Sequence, residues 1–226
     1  MKMVISIAAS LMITACGGTY LPNGVGMLPD TLQVGKSILS RDTIEPTAYP
    51  LLNHDQRTGL ARRLSLEVPD STQIIGARPV NNGITLNAYK VPTDEDPRQF
   101  KVYFVTCSSK GDVIDWIDLG EFHTSEHDGP MRFGGNRFHT TDASVTFDDA
   151  THFTLHRVMT LTSLFLKDHT LTEQWRAEWD NRFEIDASGR LLFTGQQLTT
   201  HTDPYNDDIV TEYMSRDRKA GSGRSR

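Results

Sequence analysis

Leu171-Thr172-Glu173-Gln174-Trp175-Arg176-Ala177-Glu178-Trp179 decides how this chain folds. Leu171, Trp175, Ala177 and Trp179 share one parity, and Thr172, Gln174, Arg176 and Glu178 share the other. Side chains alternate across a strand, so this is the pattern of a strand with one buried face. The same residues also offer a helix. Thr170 with Glu173 has capping-box spacing, and Leu171, Trp175, Trp179 and Phe183 recur every fourth residue. The strand is preferred, because its neighbours on both sides read as strands and the alternation accounts for the polar face too.

Downstream, Arg182–Ile185 and Leu191–Phe193 flank Asp186-Ala187-Ser188-Gly189-Arg190, a hairpin signal with a glycine in the turn. Upstream, Ser144–Phe147 and Phe153–Val158 flank Asp148-Asp149-Ala150. Phe100–Cys107 and Val113–Leu119 flank Ser108-Ser109-Lys110-Gly111-Asp112, and Ile84, Leu86 and Tyr89 begin an earlier strand. Residues 92–97, with three acids and two prolines, read as a loop, and residues 120–135, with four glycines, as a longer one. The best helix lies at 53–66. Asn53 would cap it, with Gln56 three residues on. Leu60 and Leu64 share a face, Gly59 weakens it and Pro69 stops it. The predicted fold is therefore α+β, predominantly an antiparallel β meander with one short N-terminal helix. Residues 31–216 form a single domain, 16–30 a flexible tether and 217–226 a disordered polar tail.

The chain opens differently. Lys2 is followed by an apolar run from Met3 to Met12 and then Ile13-Thr14-Ala15-Cys16. That run is too short for a membrane-spanning helix, which needs about 20 apolar residues. One charge, a dozen apolar or small residues and a small-residue cleavage region make the layout of a secretory signal. The last four residues resemble the lipobox of bacterial lipoproteins. The resemblance covers only about the first eighteen residues. It implies cleavage after Ala15, lipid on Cys16 and a place in the bacterial cell envelope. Lys2 alone is a thin charged region for the class. Gly17 follows the cysteine where, in the family's sorting rule, aspartate would retain the protein in the inner membrane; its absence favours the outer membrane, facing the periplasm. A single acyl chain binds membranes marginally, whereas two or three hold firmly.

Removing residues 1–15 leaves 211 residues, with 22 basic and 29 acidic side chains. That length suffices for one domain with a sizeable core. The acidic balance argues against nucleic acid as a partner. Only two cysteines are present. With Cys16 lipidated, Cys107 has no intrachain partner, and its setting in Val102–Cys107 reads as a buried structural thiol.

Several constellations are candidate sites. His123-Thr124-Ser125-Glu126-His127 matches the H-x-x-E-H string of inverted zinc peptidases, but Gly120, Gly129 and Pro130 crowd it and no long amphipathic helix carries it, so it reads as a polar loop. His152 and His156 fall on one side of a strand, roughly 13 Å apart, too far to share one zinc. Asp112, Asp115 and Asp118 do not converge, because alternation turns Asp115 away from the other two. Asp203, Asn206, Asp207 and Asp208 lack calcium-loop spacing and read as an acidic turn. Trp116, Trp175 and Trp179 suit a core better than a ligand groove. No catalytic, metal or cofactor site is assigned. The expectation is an envelope lipoprotein held on the membrane through lipid on Cys16, serving as a non-enzymatic binding or assembly module with another envelope protein as its partner. The alternatives are an envelope hydrolase acting on cell-wall or glycan material, which would need convergent acids or histidines in a pocket, and a small-ligand carrier, which would need a tryptophan-lined cavity.

Overall fold

A computed structural model of the chain describes residues 25–35, 49–65, 67–92, 100–122, 124–127, 135–165, 170–202 and 207–221. Among the described residues, ten strands form two antiparallel sheets, and two helices pack on them. The stretch that decides the fold is a strand. It lies within β9 (Thr170–Ile185), which pairs with β8 (His152–Phe165) on one side and β10 (Leu191–His201) on the other.

The larger sheet runs β1 (Thr31–Gly35), β7 (Gly135–Phe147), β8, β9, β10, with β6 (Thr124–His127) also paired to β7. The smaller sheet is a meander of β2 (Gln73–Pro79), β3 (Thr85–Pro92), β4 (Phe100–Cys107) and β5 (Val113–Phe122). The sheets bury one core between them. Leu86, Ala88, Val102, Phe104, Ile117 and Leu119 meet Val145, Phe147, Phe153, Leu155, Phe183 and Ile185. Phe153 lies with its ring centroid 5.4 Å from that of Phe104 and 5.0 Å from that of Phe183, so aromatic contacts cross the interface as well as the ladder.

The hairpin turns form as their residues require. Ser108 N–H donates to the Asp112 carbonyl, and Gly111 takes φ +83°. Asp186 N–H donates to the Arg190 carbonyl, and Gly189 takes φ +88°. These positive φ values are the reason for the glycines. In the second turn Asp186 Oδ1 accepts from Ser188 Oγ and from the backbone of Ser188 and Arg190, and these bonds, the serine hydroxyl first, hold its carboxyl below the usual range.

Helix α1 (His54–Leu64) has the expected reciprocal cap. Gln56 N–H donates to Asn53 Oδ1 and Asn53 N–H donates to Gln56 Oε1, both at 2.9 Å. Its Leu60 and Leu64 join Leu52, Ile74, Tyr103, Val105 and Cys107 in a second core on the outer face of the smaller sheet.

Four expectations are corrected. There is a second helix, α2 (Asp207–Gly221), and it carries the segment 217–221 that reads as disordered tail, because a short apolar set on it, with Asp217, finds a surface to cover. The tether ends earlier than Asp30. Met27 bridges Ala77 in parallel, Leu28 N–H donates to the Ala77 carbonyl, and Leu28 is buried in the inter-sheet core. Gly76 makes room for this approach, since a Cβ there would lie 3.0 Å from Leu28 Cδ2. Residues 120–122 extend β5, and 124–127 form β6, so this part of the expected long loop is strand despite Gly120: β7 supplies the partner for Thr124–His127.

Candidate functional site

The larger sheet presents one continuous inner face. On β8 it reads Phe153, Leu155, Arg157, Met159, Leu161; on β9 it reads Trp175, Ala177, Trp179, Asn181, Phe183, Ile185. Its two ends are covered by different elements. Phe153, Leu155, Phe183 and Ile185 pack against the smaller sheet. Met159, Leu161, Trp175, Ala177 and Trp179 pack under Val210, Tyr213 and Met214 of α2.

The polar residues Arg157 and Asn181 lie where the two coverings meet. Arg157 stands opposite Trp179, and Asn181 opposite Leu155. Asp217 of α2 reaches into this seam. Its Oδ2 accepts from Arg157 Nε at 2.8 Å, Trp179 Nε1 at 2.9 Å and Asn181 Nδ2 at 2.8 Å. The Arg157 guanidinium also donates to the Leu119 carbonyl of β5, tying both coverings to the sheet. Gln196 of β10 extends the network. Its Nε2 donates to Asn181 Oδ1 at 2.7 Å and to the Met214 carbonyl at 2.9 Å, while its Oε1 accepts from Arg218. Charged groups this deep are tolerated when paired and fully hydrogen-bonded. Chemically the seam is a clamp: the carboxylate oxygen that meets the arginine is already filled by three donors.

Sequence reasoning misses this cluster, although two signals mark it. Arg157 interrupts Phe153-x-Leu155-x-Arg157-x-Met159, and Asn181 interrupts the matching run on β9. A charged residue at an inward position of an alternating strand calls for a buried partner. Nothing local marks Asp217 as that partner.

Among the described residues, the candidates drawn from the sequence do not come together. Cys16 lies outside the described residues, as do His123, Asp203 and Asn206. Glu126 and His127 belong to β6, an extended strand and not the helix that the zinc-peptidase string requires. Asp207 and Asp208 open α2. Asp115 Oδ1 accepts from Trp116 N–H and its Oδ2 from Leu191 N–H, both structural ties, whereas Asp118 faces Lys101 at 3.7 Å and Asp112 is exposed. His152 Nδ1 meets Asp149 Oδ2 at 2.8 Å within its own turn. Asp149 is held well below the usual carboxylate range, first by the Thr151 N–H and then by the His152 ring. His156, on the outer face, lies 2.7 Å from Asp180 Oδ1 and 3.8 Å from Glu178 Oε2. Each of these two histidines thus has its own carboxylate. Trp116 packs edge-on against Tyr103, and Trp175 and Trp179 are core residues beneath α2. Cys107 is buried, and Asn87 Nδ2 donates to its Sγ at 3.2 Å; burial pushes the thiol up to about 11. Among the described residues no group of three or more His, Cys, Asp or Glu side chains is placed to hold a metal ion, and no helix is long and apolar enough to cross a membrane.

No family model, curated protein or solved structure matches this chain.

Proposed function

We propose that this protein is a bacterial envelope lipoprotein whose β domain acts as a non-enzymatic binding or assembly module. The signal segment 1–15 is removed, Cys16 carries lipid, and the domain is held at the outer membrane facing the periplasm. The observation that carries this reading is the run from Lys2 through Met12 into Ile13-Thr14-Ala15-Cys16. A lipid anchor raises the effective concentration of the domain for partners at the same surface, so weak contacts suffice there that would fail in free solution. The partner is therefore sought among other envelope proteins.

Support for a binding role over catalysis comes from how the titrating groups are used. His152, His156, Asp115 and Asp217 are each engaged with neighbours that hold local structure. The thiol of Cys107, raised by burial, is a poor nucleophile at neutral pH.

Metabolic labelling with a fatty-acid analogue tests the anchor. The wild-type chain takes the label and fractionates with membranes, and Cys16→Ser loses both properties. Labelling that persists in Cys16→Ser refutes the proposal. Complementation of a deletion strain then tests the role: a soluble form made with a cleavable, non-lipid signal should fail, whereas His123→Ala, Glu126→Ala, His127→Ala, Asp207→Ala and Asp208→Ala should each rescue.

A further inference from the structure

The edge of a sheet is a row of backbone donors and acceptors open to a further strand, unless short length, charge or a covering segment blunts it. Three edges of this fold are blunted. Along β2, Leu28 N–H donates to the Ala77 carbonyl, Ala77 N–H to the Gly26 carbonyl and Ile74 N–H to the Pro50 carbonyl. On β5 the Leu119 carbonyl accepts from Arg157, Asp115 Oδ2 accepts from Leu191 N–H, and Asp118 and Glu121 add charge. The edge of the larger sheet beyond β7 is made of β1 and β6, of 5 and 4 residues.

The fourth edge, β10, differs. Among the described residues it pairs with β9 alone. It is 11 residues long and contains no Asp, Glu, Lys, Arg or Pro. Thr202 N–H donates to the Arg176 carbonyl, so the even-numbered residues of β9 bond toward β10. Gln197, opposite Asp180, is therefore turned toward β9, and its neighbours Gln196 and Leu198 present their N–H and C=O groups outward. Bulges at Phe193/Gly195 and Leu198/Thr200 confine the regular edge to Gly195–Leu198. Gln197, Leu198 and Thr199 are exposed in succession, on both faces of the strand.

We infer that two copies of this chain pair through β10, antiparallel, joining their larger sheets across a two-fold axis at Gln197. The absence of charge selects this occupant. A two-fold axis sets each strand against itself, and like charges directly opposite would oppose the pairing; this edge has none. The axis places Gln196 of each copy opposite Leu198 of the other, exchanging about four backbone hydrogen bonds, and sets the two Gln197 amides side by side. So short a ladder makes a dimer that depends on concentration. The inference goes beyond the lipid-anchoring proposal and does not rest on it.

The test uses the full chain as isolated from the cells that make it, in mild detergent. Sedimentation over a wide range of concentration should show a monomer–dimer equilibrium. Leu198→Lys sets like charges near the axis, and Leu198→Pro removes an outward donor that the β9 ladder does not use. Each should raise the dissociation constant at least about tenfold, with the strand signal in circular dichroism retained. Oxidative cross-linking reads the register. Across the axis the two residues at 197 lie about 4.5 Å apart at Cα, within disulfide reach, whereas the two at 192 lie roughly 30 Å apart. Gln197→Cys should therefore form covalent dimers severalfold faster than Leu192→Cys; Cys107 is buried in both. A wild type that stays monomeric throughout, a dimer that neither Leu198 variant weakens, or equal cross-linking at 197 and 192 overturns the inference. A monomeric chain that captures a strand of another protein, and loses it in Leu198→Pro, overturns the second copy as occupant.

Discussion

Asp217 Oδ2 lies 2.8 Å from Arg157 Nε, across 60 residues of sequence, and both side chains are buried. Removing one partner of such a pair strands the other charge in the interior, which costs about 3–5 kcal/mol, whereas replacing both by apolar groups of similar volume is often close to neutral. Asp217→Ala is accordingly expected to lower the free energy of urea unfolding by about 3–5 kcal/mol. Arg157→Met combined with Asp217→Leu should recover only part of that loss, because the Trp179 and Asn181 donors lose the carboxylate and stay buried. A change under about 1 kcal/mol in Asp217→Ala would mean that the clamp contributes no more than an exposed ion pair.

The same helix shields two tryptophans. Val210 is buried against Met159, Leu161, Trp175 and Trp179. Val210→Asp places an unpaired charge in that contact and is expected to detach α2. Tryptophan emission should then shift to longer wavelength and become accessible to iodide, while the strand signal in circular dichroism persists. An unchanged emission spectrum would show that α2 is not what keeps Trp175 and Trp179 dry.

What is legible in the sequence follows the periodic signals. Alternation at Trp175, Ala177 and Trp179 identifies the central strand, and the Asn53–Gln56 spacing identifies the cap of α1. Glycine in 108–112 and 186–190 identifies two hairpins. Less legible are elements whose order comes from partners distant in sequence. Thr124–His127 has no strand pattern of its own and is extended because β7 pairs with it. The segment at 217–221 looks solvated, since Asp217, which is buried, is a carboxylate whose donors lie 36–60 residues away. Met27 and Leu28 sit among glycines and prolines, and only the open edge of β2 gives them a place.

Two glycines should respond to alanine in opposite directions. Gly59 lies in α1 with open space around the Cβ position, and glycine within a helix costs about 0.5–1 kcal/mol relative to alanine. Gly59→Ala should therefore raise stability by that amount. At Gly189 φ is +88°, and a Cβ would lie 2.8 Å from Ile114 Cδ1. Gly189→Ala should destabilise by about 1–3 kcal/mol, the range for a residue forced into a sparsely populated backbone region. Thermal unfolding of the two variants side by side checks both signs.

Cys107 gives the fold a dependence on alkaline pH. Burial raises its thiol from 9.0 to about 11, against the opposing hydrogen bond from Asn87. A raised folded pKa means that the native state favours the protonated thiol. The associated stability is fully present below the unfolded value of 9.0 and is lost as pH rises toward about 11. At about 1.4 kcal/mol for each pH unit of difference, the loss over that window is of the order of 2–3 kcal/mol. Lysines and tyrosines titrate in the same region, so the informative quantity is a difference between two chains. Cys107→Ala should show a flatter decline in unfolding free energy between neutral pH and about pH 10 than the wild type. Thiol reagents should modify native Cys107 slowly and the urea-unfolded chain fast. Parallel pH profiles for the two chains, or rapid modification of the native thiol, would show that the side chain is neither sealed nor held protonated by its surroundings.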